Sequence, residues 1–198
     1  MARILAINGS YRTAGITDLV VGTLAEALRA RGAEVEVVLL RDYPIEFCRN
    51  CRACTQAPGA APGACVLPDG MRDLIDKIEK SDSYILASPT NFGACTALFK
   101  RFMERLVVYA YWPWEMNGPQ LRKAKAPKKK AVLISSCAAP GFLGRWSFNT
   151  GKELKATAKT IGAEPVGTIF TGLAGKAPRH RISEQVRTKA GALAAKLA

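Results

Sequence analysis

The sequence predicts an α/β fold, a parallel sheet of five strands with helices on both faces. Two patterns predict it. Short runs rich in Ile, Val and Leu alternate with segments of helical period along the whole chain, and the first run turns through Gly and Ser straight into an amphipathic segment. With 198 residues and 48% hydrophobic content, the chain can bury one proper core, so a single domain spanning 1–198 is expected.

Residues 2–8 read as the first strand and 34–40 as the second, joined by the segment 18–31, which ends before Gly32. Met71, Leu74, Ile75 and Ile78 recur at helical spacing and mark the second helix, followed by a strand over 84–87. Leu98, Phe99, Phe102, Met103, Leu106, Val107 and Tyr109 give the third helix an apolar stripe wider than one sheet-facing side needs. Such a helix either packs on a second subunit, giving a homodimer, or is wholly buried in its own chain. Strands over 131–135 and 166–170 flank a helix marked by Leu154, Ala158 and Ile161, and Ile182, Val186, Leu193 and Leu197 line a final helix. Two connections are too long for plain turns: a Cys-rich loop over 44–68, and a flap over 111–130 that opens on Tyr-Trp-Pro-Trp and closes on lysines.

The formal charge of +13 is concentrated late, with Arg122, Lys123, Lys125, Lys128, Lys129 and Lys130 in one run. A basic flap of this kind attracts anions such as nucleotide phosphates. A merely solvated face is the plainer reading, and no nucleic-acid fold signature accompanies the charge, so nucleic acid is not the expected partner. No charged-then-apolar leader and no apolar run near eighteen residues is present, which predicts a cytoplasmic protein without a membrane span. His180, the only histidine, sits in a loop and is expected to be exposed rather than catalytic.

Three loops leave the carboxyl ends of strands one, three and four: 9–17, 88–93 and 135–141. In a doubly wound sheet these ends lie side by side, so one ligand can meet all three. The first places backbone N–H groups at a helix N-terminus, with hydroxyls from Ser10 and Thr17 and a guanidinium from Arg12, which is a phosphate seat. The alternative is an ordinary turn capped by Thr17. It is neither GxGxxG nor the ATP-binding loop. The other two loops offer amides, small side chains and Phe92 to a flat polar ring, as a mononucleotide with an extended ring system requires.

These stretches resemble the flavodoxin-like NAD(P)H-dependent FMN reductases and their iron-sulfur flavoprotein branch. The resemblance runs from residue 3 to about 172. It rests on Gly-Ser-x-Arg-x-x-Gly-x-Thr, on Cys-x2-Cys-x2-Cys before Cys65 and Asp69, and on Ser88-Pro89 followed through Gly93 to Lys100 and Glu104. It implies a three-layer sandwich with strand order 2-1-3-4-5, and FMN held at its phosphate by Ser10, Arg12, Gly15, Ile16 and Thr17. It also implies that Pro89, Thr90, Asn91, Phe92 and Gly93, with Ser136 and Cys137 opposite, contact the isoalloxazine. Asn91 stands where relatives commonly carry an aromatic residue, which leaves Phe92 to supply stacking. Asp69-Gly70 replaces a usual pair of aspartates, and Asp69 is expected to cap the second helix.

Cys48, Cys51 and Cys54 are spaced as cluster ligands, with Cys65 as the fourth, and a [4Fe-4S] cluster is the sharper reading. A structural zinc and unligated thiols remain open. The insert between Cys54 and Cys65, rich in Ala, Gly and Pro, reads as slack. Cys137 is expected at the flavin edge or, alternatively, as a small buried residue.

The expected activity is electron transfer from NAD(P)H through FMN to a second acceptor: a quinone, a nitro or azo compound, free flavin, a metal ion or the cluster. No catalytic side chain is required, because the flavin performs the chemistry. An electron carrier fed by ferredoxin and a non-enzymatic flavodoxin-like binding module are the alternatives. A dimer or tetramer is expected.

Overall fold

Strand β1 (Arg3–Asn8) enters the centre of the sheet, and its side chains alternate between two faces. A computed structural model describes residues 1–140, 147–174 and 181–198. His180, Gly141, Lys176 and Arg179 lie outside them. Helix α1 (Ile16–Arg29) follows, then β2 (Glu34–Leu39), α2 (Met71–Lys80), β3 (Ser83–Asn91) and the short β4 (Ala94–Cys95). Helix α3 (Ala97–Arg105) tightens into a 3-10 turn over Leu106–Tyr109, and a two-stranded hairpin, β5 (Ala110–Tyr111) with β6 (Gln120–Leu121), forms the base of the flap. Then come β7 (Lys129–Ser136), α4 (Thr150–Thr160), β8 (Ala163–Thr171) and α5 (Glu184–Leu197).

The five long strands are parallel in the order β2-β1-β3-β7-β8, which is the expected 2-1-3-4-5, and β4 adds antiparallel to the end of β3. Odd and even positions of the strands feed separate cores, as their alternation requires. Leu5, Ile7, Tyr84, Leu86 and Leu133 meet α2, α3 and α4, whereas Ile4, Ala6, Ile85, Val132 and Ile134 meet α1 and α5. Phe99, Phe102, Leu106, Val108 and Tyr109 are all buried by the chain itself. The broad stripe is therefore largely an internal surface, with Leu98, Met103 and Val107 left half-buried.

Residues 43–70 hold no regular element beyond a single 3-10 turn at Ala53–Thr55, in keeping with a long loop. Its insert is not slack, however. Arg122 donates to the carbonyls of Cys54, Ala57, Gly59 and Val108, and the Gly63 amide donates to Val108 O at 2.8 Å. A Cβ at Gly63 would lie 1.7 Å from Cys54 O, so only glycine allows that approach.

The lysine run is also tied down. Lys129 Nζ donates to the carbonyls of Glu79 and Ser81 and to Tyr84 Oη, Lys128 to Lys123 O and Ala124 O, and Lys130 to Lys196 O. Lys123 pairs with Glu79. No helix among the described residues is long and apolar enough to cross a membrane.

Candidate functional site

Asn8 ends β1 fully buried and organises the turn that follows it. Its Oδ1 accepts from Ser10 N at 2.9 Å, and its Nδ2 donates to Asp18 at 2.7 Å. Asp18, in the first turn of α1, also accepts from Ala14 N and pairs with Arg41 at 3.0 Å, while Arg41 donates to Ser10 O. The loop is thus fixed by polar partners of the chain itself, from buried Asn8 to half-buried Asp18 and Arg41.

Helix α1 starts with Gly15 as N-cap and no side-chain cap, which corrects the reading of Thr17 as an ordinary cap. Thr17 instead shares a hydroxyl contact of 2.9 Å with Ser136 at the end of β7. Among the described residues no side chain caps the first turn of this 14-residue helix, so its amides, at the positive end of the helix dipole, are donors of the kind that suit an anion. Thr96 caps α3 by accepting from Phe99 N and donates to Gly9 O at 2.6 Å, which joins the turn to the third helix.

A cleft of about 480 Å³ opens here at the carboxyl ends of the strands. Ser10, Arg12, Gly15, Ile16 and Thr17 line one side, Pro89, Thr90 and Asn91 another, and Ser136 and Cys137 a third. Leu98 and Tyr11 complete the wall. Ten of the twelve residues expected around FMN are therefore brought together. Phe92 and Gly93 do not line the cleft: Phe92 projects fully into solvent from a turn where both residues have positive φ, 48° and 76°. Cys137 is buried with its Sγ 3.2 Å from Ala139 O, and burial raises its thiol above the ordinary range, so it is a neutral wall residue.

The lysine run sits elsewhere. Lys129 and Lys130 begin β7, and the cleft lies past its end, so the strand's length of roughly 25 Å separates them. The aromatic flap turns to the Cys-rich loop instead. Trp112 and Trp114 hold the Arg52 guanidinium between them, 3.8 and 4.4 Å from the ring centroids, and Trp112 N donates to Thr55 O.

Cys48, Cys51, Cys54 and Cys65 converge on a second cavity, of about 270 Å³, with Arg52, Arg105 and Trp112 in its wall. Burial, with the other three thiols nearby, raises the Cys54 thiol. Arg105, only 1% exposed, holds the loop at both ends by donating to Glu46 O and to both oxygens of Asp69, at 2.6 and 3.0 Å. It also donates to Cys65 Sγ at 3.4 Å. Burial alone would raise the Asp69 carboxyl, but hydrogen bonds from Arg105 and from the Glu46 and Met71 amides bring it below its usual range. Asp69 caps α2 through Met71 N, from one position before the N-cap Gly70.

Fold and cleft together define a flavodoxin-like α/β protein whose candidate site lies at the carboxyl edge of the sheet. The chain belongs to the NADPH-dependent FMN reductase family, whose pattern it matches over residues 2–147. Curated relatives include an iron-sulfur flavoprotein from Archaeoglobus fulgidus, 31% identical over 103 residues, or 52% of this chain and 48% of that one. Another, from Methanosarcina thermophila, is 27% identical over 106 residues, 54% of this chain and 53% of its own. The chain thus spans about half the length of these relatives. Among solved structures, an FMN-dependent NADH-azoreductase from Bacillus anthracis superposes with a TM-score of 0.71 at 12% identity, each chain fully covered. An archaeal flavodoxin superposes with 0.55 at 11% identity, covering 100% of this chain and 96% of that one.

Proposed function

We propose that this protein is an FMN-dependent oxidoreductase that passes electrons from NAD(P)H to a second acceptor. The observation that carries this is the α1 N-terminus without a side-chain cap, flanked by Ser10, Arg12 and Thr17 and facing the adjacent ends of β3 and β7. Bound FMN supplies the chemistry, accepting a hydride and releasing electrons onward. Ser10, Arg12, Gly15, Ile16 and Thr17 hold its phosphate by amide, hydroxyl and guanidinium donors. Pro89, Thr90, Asn91, Ser136 and Cys137 flank its ring, and Thr90 is held in place by a 2.9 Å contact with Thr150. Phe92 and Gly93 form the rim from which a nicotinamide or an aromatic acceptor approaches. Quinones, nitro or azo compounds, free flavin and metal ions suit so open an edge. A homodimer would cover Leu98, Met103 and Val107.

A [4Fe-4S] cluster is the proposed occupant of the Cys-rich loop, because Cys48, Cys51, Cys54 and Cys65 line one cavity and such a cluster takes four thiolates, one to each iron. That cavity favours a second reading, an electron carrier fed by a redox protein.

The test is FMN affinity of the Ser10→Ala/Arg12→Ala variant, by flavin fluorescence. Two charge-assisted hydrogen bonds are together worth about 3 kcal/mol, so Kd should rise about a hundredfold. An unchanged Kd would mean the pocket is misplaced. Rapid mixing with NADPH separates the readings, because the flavin of a carrier would stay oxidised.

A further inference from the structure

The four-cysteine cavity is walled by cations rather than by acids. Arg105 reaches Cys65 Sγ but shares its charge with Asp69. Arg52 does not: among the described residues it has no ion-pair partner, and its Nε is buried without a hydrogen-bond acceptor. Such an orphan donor is costly in a folded protein and calls for an explanation.

The chain works to keep Arg52 there. Its backbone adopts a left-handed conformation, φ 56°, in the middle of the run from Cys51 to Cys54, a conformation non-glycine residues rarely adopt. Two indole faces clamp the guanidinium, and its Nη2 donates to Trp112 O at 2.6 Å and Pro113 O at 3.0 Å. These contacts fix the direction of the fork and leave Nε over. A cation–π clamp of this kind holds a charge in place without neutralising it.

We infer that Arg52 is a positioning residue that raises the reduction potential of a cluster held by Cys48, Cys51, Cys54 and Cys65, with its Nε–H donating to a sulfur of that centre. The inference rests on the cluster reading above. Its physics is simple: reduction adds negative charge, and a fixed cation with a hydrogen bond to sulfur favours the reduced form. Arg105 adds to the effect at Cys65, partly offset by Asp69.

The experiment compares the full chain, purified without oxygen, as wild type, Arg52→Met and Arg52→Lys. Iron and acid-labile sulfide are assayed first, and then the midpoint potential of the centre is titrated by electron paramagnetic resonance. Arg52→Met should retain iron and lower the reduced-to-oxidised ratio at fixed solution potential at least tenfold, which is about 59 mV for a one-electron couple. Arg52→Lys, which keeps a charge but loses the planar fork, should fall between. An unchanged midpoint in Arg52→Met overturns the inference, and so does loss of the centre from both variants, since Arg52 would then be only a loop brace. If Arg52→Met alone loses iron, the midpoint of Arg52→Lys decides: a fall supports the inference and no change overturns it. Wild-type protein without iron or sulfide would sink the cluster reading itself, a different result from an unmoved potential.

Discussion

Replacing Arg105 by Met tests whether the Cys-rich loop is held at its base as described. The guanidinium is 1% exposed and the Asp69 side chain 8%, so the substitution leaves a buried carboxylate with only the Glu46 and Met71 amides. Removing one partner of a buried pair costs about 3–5 kcal/mol. For a domain of this size that lowers Tm by about 6–20 °C. The pH dependence follows from the depressed Asp69 carboxyl. Its contribution is fully present above its unfolded value of about 3.9 and is lost as pH falls through the lower folded value. Urea unfolding followed by circular dichroism should therefore show the full gap between wild type and Arg105→Met at pH 7, shrinking below about pH 4. A loss under about 1 kcal/mol at pH 7, the size of an exposed pair, would refute the reasoning. So would a gap that acid leaves untouched. Arg105→Met/Asp69→Leu should recover part of the loss, since no charge is then stranded.

Gly63→Ala, whose Cβ would meet Cys54 O, should cost about 3 kcal/mol and open the insert to protease, read by denaturation and limited digestion. Phe92→Asn should raise stability by about 1 kcal/mol in thermal unfolding, because Asn tolerates the left-handed turn that Phe92 occupies at φ 48°. Iodoacetamide at pH 8 should label exposed Cys51 of metal-free protein well before Cys95 or Cys137, as read by mass spectrometry. Burial pushes the Cys95 thiol up to about 12 and also raises that of Cys137.

The long strands and their helices were legible because each core position repeats with the period of its element. Boundaries were less so. Residues 84–87 carry the apolar signal of β3, yet the strand runs from Ser83 to Asn91, since Ser88 and Pro89 stay in register with Ser135 and Ser136. Pairing with a neighbour decided that end, and pairing leaves no local mark. The same holds for β4, β5 and β6, each only two residues long. Most of the candidate cleft could be read from hydroxyls, Arg12 and glycine at a strand-to-helix turn. Its supports were not read: Arg41 and Thr96 act through partners distant in sequence, and Asn8 and Asp18, although near the loop, take their roles from side-chain contacts that no spacing pattern marks. Phe92 was expected at the ring because it is aromatic and adjacent, but the positive φ of the tight turn swings it outward. The insert seemed slack because its own residues are small, and what tightens it is Arg122, far along the chain.

The bonded lysines bear on how the basic character of the chain should be weighed. A tally of +13 treats every ammonium as available to a polyanion. Lys128, Lys129 and Lys130 already cradle main-chain oxygens, and Lys123 answers Glu79. To grip a phosphate they would first have to let go of helix ends and strand starts. Four of the 29 cationic side chains are thereby committed to internal contacts; the net charge stays +13, since carbonyls neutralise nothing and Glu79 is already in the tally, but these ammonium groups are less free to rearrange around a ligand.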